Sequence, residues 1–387
     1  MGTTEAWKKM REVCVIGVGL HKFGRFPEKD IGDLGREAIL AAFEDAGCGP
    51  KDIEAGFGGR VFNGNATAIR LISEVFQTGI LIDNVEKACA TSSTAVRLAT
   101  WAIGAGLYDV CLCVGVEKME RGLVGGVAPG MESRASYGQL MGLGIMPAEY
   151  ALRARRHMYE YGSTREMFAQ VAVKSHANGS LNPYAQYQTK VTLEEVLNAR
   201  MISDPLTLYQ CSPSTDGASA VVLCAKEVAH KYRGKLITIA GWASGTPAYT
   251  PTGVGGDVQE GFIAKLAKEA YERASVGPKD IKVAQVHDAF SAGEIFAIED
   301  LSFAKPGEGG KYVWEGKADI NGQVAINTDG GLESRGHPQG ATGIAMLVEI
   351  VRQLRGEAGL RQVPGNPKIG LQHNVGIGGC NIFIYKK

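Results

Sequence analysis

Two stretches of this 387-residue chain combine residue types that can carry out covalent acyl chemistry. The first is Val85-Glu86-Lys87-Ala88-Cys89-Ala90-Thr91-Ser92-Ser93-Thr94-Ala95, which leads into an apolar helix pattern from Val96 to Ile103. Cys89 has no bulky neighbours and sits where a loop turns into a helix. There, unpaired backbone N–H groups and the positive end of the helix dipole favour thiolate over thiol. Taken alone, that position suits a small buried cysteine equally well. The second stretch, 327–343, is a glycine-rich loop with one histidine, again ahead of a helix pattern, Ile344 to Leu354. Gly330, Gly331, Gly336 and Gly340 let the backbone approach a ligand closely, and His337 supplies a base. A thiolate with a nearby base is the equipment of nucleophilic catalysis.

The elements that must position these two loops repeat. Glu12 to Gly19 is a short β-branched run that predicts a buried strand. Gly32 to Ala46 has helical spacing, with Leu34, Ala38, Ile39, Ala42 and Phe43 on one face. Gly-Pro-Lys-Asp-Ile then occurs at 49–53 and again, identically, at 277–281, after the strand-like Lys235 to Gly241 and the helical Glu260 to Ala274. In each case a strand, a reactive-looking loop, a long helix and a closing strand follow, which is an internal duplication. Two such halves, each a sheet covered by helices, pack as a layered αβαβα sandwich with a pseudo-twofold axis. The helices after Cys89 and His337 are expected back to back in the middle, where Ala95, Ala99 and Ala102 suit close approach. Their preceding loops then meet at one end of the sheets, where open α/β folds place their sites.

Composition narrows the function classes. Lys plus Arg equals Asp plus Glu, 41 each, so no global charge argues for nucleic acid or an anionic membrane. Residues 1–11 are polar and no apolar run is long enough to span a bilayer. Eight cysteines without C-x-x-C spacing suit a reducing cytoplasm. Cys111 and Cys113 share one face of a strand pattern and read as core, and no metal site is expected from them.

Three motifs carry a family resemblance: the Cys89 segment through Gly115-Val116-Glu117-Lys118-Met119, the Gly-Gly-Leu…Ser-Arg-Gly-His-Pro…Gly-Ala-Thr-Gly run at 330–343, and Cys211-Ser212-Pro213-Ser214-Thr215-Asp216-Gly217-Ala218. Together, in order and across nearly the whole chain, they resemble a thiolase. Val286-His287-Asp288-Ala289-Phe290 and Gln372-His373-Asn374-Val375-Gly376 are similar to the sterol-carrier-protein-type and archaeal thiolases rather than the two-cysteine enzymes. The resemblance implies a five-layered αβαβα fold: an N-terminal half from 1–119 plus 201–233, a loop domain at 120–200 covering CoA and making oligomer contacts, and a C-terminal half at 234–387.

It also implies roles: Cys89 as acyl acceptor, His337 as its base, and His287 as donor to the thioester oxygen together with His337. His287 lies in a strand-to-loop position, which places a functional reading ahead of a core one. A second oxyanion hole would come from the Cys89 backbone and the turn of Asn374, Gly376, Gly378 and Gly379. Gly330, Gly331 and Ser334 are expected to contact substrate or CoA. The chain departs from the family at its second cysteine: Asn374-Val375-Gly376 stands where the common enzymes have Cys-x-Gly, and Ala289 where the sterol-carrier type has its cysteine. Three replacements stay open: His373 acting through a water, Cys380, or a substrate whose enolate or decarboxylation needs little help. His373 is preferred.

The implied activity is CoA-dependent cleavage of a 3-oxoacyl-CoA, or the reverse Claisen condensation, through an acyl-Cys89 intermediate, with coenzyme A as co-substrate and no tightly bound cofactor. The alternatives are a decarboxylating 3-oxoacyl synthase, or a thiolase-like subunit active only with a small zinc-ribbon/OB-fold partner. A homodimer, or a dimer of dimers, is the expected assembly. Arg153, Arg155 and Arg156 read as a solvated helix face, Cys211 as packing, and His157, His176 and His230 receive no role. The Tyr184 to Tyr187 region is a candidate acyl or subunit contact, and Phe62, Tyr137, Met141 and Met146 are candidate pocket residues.

Overall fold

The computed structural model describes residues 9–62, 67–76, 79–119, 145–233, 235–247 and 261–387. Its strands are β1 (Val13–Leu20), β2 (Ala55–Gly59), β3 (Leu81–Asn84), β4 (Val110–Glu117), β5 (Met201–Ser203), β6 (Leu206–Thr207), β7 (Gly217–Ala225), β8 (Ile237–Gly245), β9 (Val283–Val286), β10 (Ala325–Ile326), β11 (Ile369–Gly376) and β12 (Gly379–Lys386). The helices are α1 (Ile31–Ala46), α2 (Thr67–Phe76), α3 (Thr91–Gly104), α4 (Met146–Tyr161), α5 (Arg165–Gly179), α6 (Leu193–Asn198), α7 (Phe262–Ala274), α8 (Ser291–Asp300), α9 (Gly309–Trp314) and α10 (Gln339–Arg355).

Apart from the β5-β6 pair, the strands run in the order β10-β9-β11-β12-β8-β1-β7-β4-β2-β3. Read outward from the middle, the halves are β1-β7-β4-β2-β3 and β8-β12-β11-β9-β10, the same topology twice. Only Cys14↔Thr238 and Val15↔Ile237 join them across β1 and β8. Both copies of Gly-Pro-Lys-Asp-Ile form the same turn, in which Asp52 Oδ2 accepts from Gly49 N and Asp280 Oδ2 from Gly277 N, each at 2.8 Å.

Alternation along the strands separates three cores. Val110, Leu112, Val114 and Val116 pack with Leu34, Ile39 and Phe43 of α1 and with α2. Cys111 and Cys113 point the other way, into a central cluster with Ala95, Val96, Ala99 and Ile103 of α3 and Ile344, Leu347 and Val351 of α10. On the far face of the C-terminal sheet, Leu266 and Ala270 of α7 and Ile295 and Ile298 of α8 pack on Ala284, Val286 and Ile382. The layers are therefore helix, sheet, helix, sheet, helix. In the central layer a Cβ on Gly343 would lie 2.5 Å from Ser93 N, so the crossing of α3 and α10 requires glycine there.

Within the loop domain expected at 120–200, residues 146–198 are largely helical, in α4, α5 and α6. Its polarity conceals the helices because the C-terminal part of the buried side of α5, with Lys174, Ser175, His176 and Asn178, is itself polar. Lys174 Nζ donates to Ile326 O at 2.8 Å and Asn178 Nδ2 to Asn327 O at 3.1 Å, while Asn182 Nδ2, just beyond the helix, donates to Asp329 O at 2.9 Å. The segment thus grips the chain leading to His337. Tyr137 and Met141 lie outside the described residues, as does the rest of 120–144. Among the described residues, no helix is long and apolar enough to cross a membrane.

Candidate active site

Cys89 stands two residues before α3, on a tight loop in which Ala88 has φ +46°. Thr91 locks that loop: its Oγ1 accepts from Lys87 N at 2.9 Å and donates to Ala88 O at 2.7 Å. A left-handed non-glycine residue costs on the order of 1–3 kcal/mol and persists only where its surroundings over-determine it. Here the strain aims Sγ at a half-open cleft. A Cβ on Gly376 would lie 2.4 Å from Lys87 O and 2.7 Å from Ala90 N, so glycine lets the end of β11 press against this loop.

His337 stands two residues before α10, and its Nε2 lies 3.2 Å from Cys89 Sγ. Its Nδ1 is 2.7 Å from Thr342 Oγ1, whose own hydrogen goes to Pro338 O at 3.0 Å. The hydroxyl can therefore only accept from the ring, which puts the proton on Nδ1 and leaves the Nε2 lone pair facing the thiol. Burial, with Arg335 nearby, holds His337 down at about 3, so the ring is neutral around pH 7 and its Nε2 lone pair is free to accept a proton. The loop carrying it is held from three sides. His337 N donates to Thr215 Oγ1 at 3.1 Å, Gly340 N to Glu117 Oε2 at 3.1 Å, and Arg335 is ion-paired with Asp329. The Ser-Thr-Asp-Gly turn works from this side, since Asp216 also accepts from Phe26 N and Met119 N, both at 2.9 Å.

His287 follows β9 and its ring lies edge-on to that of His337, with centroids 5.2 Å apart. Burial first, then His337 and His373, hold its pKa well below the ordinary value. The reactive atoms of Cys89, His287 and His337 all lie within 4.8 Å of one another, close enough to act on one small group. Asp288 turns away from the cleft and accepts from Leu332 N at 2.8 Å.

The other sequence candidates divide sharply. Asn374 lies behind His287, with Nδ2 3.2 Å from its Nδ1. Gly376 lines the cleft beside Ile377, Gly378 turns the β11-β12 hairpin with φ +78°, and a Cβ on Gly379 would meet Lys87 Nζ at 2.6 Å. His373 is not brought to Cys89. Neighbours on a strand point to opposite faces, so Asn374 faces the central layer and His373 faces α8. It lines a cavity of about 20 Å³ with Phe296, Ala297 and Asp300, whose wall shares Tyr150, Arg153, His287 and Val375 with the cleft, and among the described residues neither ring nitrogen has a hydrogen-bond partner. Burial pushes it down to about 4. Cys380 is fully buried in the core, where burial raises its thiol pKa. Gly330, Gly331 and Ser334 do not open onto the cleft either. A Cβ on Gly331 would strike Asp288 Oδ2 at 2.0 Å, Gly330 packs on Gly179, and Ser334 Oγ donates to Tyr187 O at 2.9 Å. They brace the turn before His337, and Tyr187 N returns a bond to Ser334 O at 3.0 Å. Cys211 is packed, and burial pushes its thiol up to about 12.

The cleft wall adds Glu149, Tyr150 and Arg153 of α4, which belong to no motif, and Phe290, Gln339 and Val375, which lie within motifs but received no role, with Met146 as expected. Arg155 and Arg156 are surface ion pairs, whereas Arg153 lies over the rings of Phe296 and Tyr150 at 4.4 and 5.5 Å. Spacing offered a signal here: 146, 149, 150 and 153 form one face of a helix. A larger cavity of about 480 Å³, lined by Arg11, Trp242, Arg273 and Lys386, holds neither cysteine nor histidine.

A strained cysteine at a helix start, a neutral base with a fixed tautomer and a second histidine on the same space form an acyl-transfer site. Comparison with known proteins leads to the same place. Residues 13–227 match the family model "Thiolase, N-terminal domain" and residues 256–383 match "Thiolase C-terminal domain-like". The chain is 41% identical over 380 residues to an acetyl-CoA acetyltransferase of Methanothermobacter thermautotrophicus, covering 95% of this chain and 97% of that one. It is 37% identical over 395 residues to sterol carrier protein 2 of Bos taurus, covering 97% of this chain and 72% of that one. Among solved structures, the Ltp2-ChsH2(DUF35) aldolase superposes with a TM-score of 0.84 at 25% identity, covering 98% of each chain. With both halves of the fold matched and a relative of this closeness spanning its length, the chain belongs to the thiolase family.

Proposed function

We propose that this enzyme is an acyl-CoA acyltransferase that cleaves a 3-oxoacyl-CoA with coenzyme A, or runs the reverse condensation, through an acyl-Cys89 thioester. The observation that carries this reading is the 3.2 Å contact between Cys89 Sγ and the unprotonated nitrogen of His337. His337 Nε2 takes the thiol proton as the sulfur attacks the 3-oxo carbon. The C2–C3 bond then breaks, and its electron pair leaves as the enolate of an acyl-CoA whose thioester oxygen accepts from His287. The second oxyanion hole is assigned to backbone N–H groups of Cys89 and the Gly376–Gly379 turn. Each well-aimed donor is worth about 3 kcal/mol of barrier.

The enolate carbon needs a proton, and His337 has just taken one. Returning it from Nε2 to C2 closes the first half-reaction without a second cysteine, so the cleft's own base can serve in place of His373, which faces α8. In the second half, His337 takes the proton of the CoA thiol, which attacks the acyl thioester and frees Cys89. Decarboxylating condensation remains the alternative on the same Cys-His-His set.

A small zinc-ribbon/OB-fold partner is assigned as an accessory subunit, supported by the structural relative Ltp2-ChsH2(DUF35) aldolase, which is named for two components. A homodimer is supported by β3, which among the described residues is an edge strand paired only to β2, with Leu81 exposed. Eight free cysteines suit a cytoplasmic setting. The test is incubation with short, branched and aromatic 3-oxoacyl-CoA esters plus CoA, reading products and intact protein mass together. Two acyl-CoA products, with an adduct on wild type but not on Cys89→Ala, are expected. Absence of any adduct, with and without the partner, would remove the reading.

A further inference from the structure

We infer that Asn374 is a positioning residue that fixes the tautomer of His287, presetting Nε2–H as a donor into the cleft. The inference rests on the reading of the site given above and concerns how its second histidine is held.

The chain of hydrogen bonds starts from a group that can only donate. Arg97, on α3, donates to Ser244 Oγ. Ser244 directs its own hydrogen to Asn381 Oδ1 at 2.7 Å, a length typical of an O–H···O bond. This fixes the Asn381 amide, whose Nδ2 then donates to Ser93 Oγ at 2.9 Å and Thr94 Oγ1 at 3.0 Å. Ser93 Oγ lies 2.6 Å from Asn374 Oδ1 and 3.0 Å from Ala90 O. The shorter contact matches an O–H···O bond and is too short for an ordinary N–H···O bond. Oδ1 therefore faces Ser93, and Nδ2 faces His287 Nδ1 at 3.2 Å. An amide N–H can only donate, so Nδ1 carries a lone pair and a neutral ring must hold its proton on Nε2.

Five side chains from α3, β8, β12 and β11 thus converge on one proton. The result is opposite to that at His337, where Thr342 keeps the proton on Nδ1. Two perpendicular rings 5.2 Å apart are set as one donor and one acceptor before substrate arrives. The donor role expected of His287 from its motif thus gains a physical cause in Asn374, which lies outside that motif.

The full-length enzyme carrying Asn374→Asp tests this. The substitution keeps the shape and still accepts from Ser93, but presents an acceptor to His287 and forces the proton onto Nδ1. Expected are a fall in kcat of about 10²–10³-fold at pH 8, little change in KM, and partial recovery toward pH 6 as the carboxylate helps the ring take a second proton. Ser93→Ala, which frees the amide to flip, should cost about tenfold without the pH effect. A wild-type kcat and pH profile in Asn374→Asp, with an unchanged thermal midpoint, would overturn the inference. Ring ¹⁵N NMR of the unliganded wild type, with His287→Asn assigning the signal, reads the tautomer without turnover. Protonated Nε2 with bare Nδ1 supports the inference and the reverse overturns it. An inactive wild type with the expected ring signals would sink the proposed reaction and leave the tautomer assignment standing.

Discussion

The loop before α3 and the loop before α10 occupy equivalent places in the two halves, and each puts its reactive residue two positions ahead of its helix: Cys89 in one, His337 in the other. Their surroundings differ. The Cys89 loop is half-exposed and backed by a glycine, Gly376, at the end of β11. The His337 loop is buried throughout and backed by a carboxylate, Glu117, at the matching end of β4. A duplicated scaffold thus supplies one geometry twice, and burial decides which chemistry each copy performs. An open slot suits a nucleophile that must meet substrate, whereas a closed one keeps an imidazole neutral.

The comparison predicts its largest effect at the nucleophile. Cys89→Ala should abolish the acyl adduct and lower turnover by at least about 10⁴-fold while leaving the thermal midpoint nearly unchanged, because the side chain is not part of the core. Intact mass and a melting curve on the same sample read both quantities. A midpoint several degrees lower would mean that the open loop is structural after all.

Next comes the brace of the closed loop. Glu117 accepts from Val61 N and Phe62 N as well as Gly340 N. Glu117→Ala strands these donors and should cost about 2–4 kcal/mol with a clear loss of kcat. Burial pushes its carboxyl up to about 7. A raised acid pKa means that the folded state holds the proton more tightly. Its stabilising share is therefore complete below the unfolded value near 4.5 and is lost as pH rises through about 7. Glu117→Gln cannot ionise, so chemical denaturation at pH 5, 6, 7 and 8 should show the difference from wild type shifting in favour of Gln as pH rises. A constant difference would place the folded pKa near that of a free carboxylate.

A smaller effect separates the two faces of β11. His373 has two buried ring nitrogens without partners, and burial holds it down at about 4. A depressed histidine pKa means that stability is lost as pH falls below the unfolded value near 6.5. His373→Leu should therefore leave kcat within about threefold, gain about 1 kcal/mol at pH 7 and gain more at pH 5. A loss of 10²-fold in kcat would restore His373 as the α-carbon acid/base. The expected acid limb of wild-type kcat/KM lies well below pH 6, since His337 stays unprotonated down to about 3.

These cases show what the sequence carried. Position before a helix marked Cys89 and His337 as candidates, the family motifs added their roles and that of His287, and the structure brings the three side chains together. The duplication was legible from five identical residues. The choice between His373 and Asn374 was not, because a strand pattern says that neighbours face opposite ways without saying which faces the site. Gly330, Gly331 and Ser334 read as ligand contacts because a glycine-rich loop looks the same whether it receives a ligand or another loop. Thr342 and Ser93 were written in the motifs, but their part depends on where a hydroxyl hydrogen points, which is set by tertiary partners.

The smallest predicted effect tests the duplication where chemistry has left no mark. Asp52 and Asp280 are exposed, and each caps its turn through a 2.8 Å bond from a glycine N–H, with a proline following the glycine in both. Replacing either by alanine should cost about 0.5–2 kcal/mol, by the same amount within error, and change kcat in neither case. Equal costs would mean that the two halves keep the same local energetics despite their divergent loops. If Asp280→Ala cost much more, the C-terminal turn would be carrying strain from the buried loop above β9 and β10, and the burial that separates His337 from Cys89 would reach to the opposite end of the sheet.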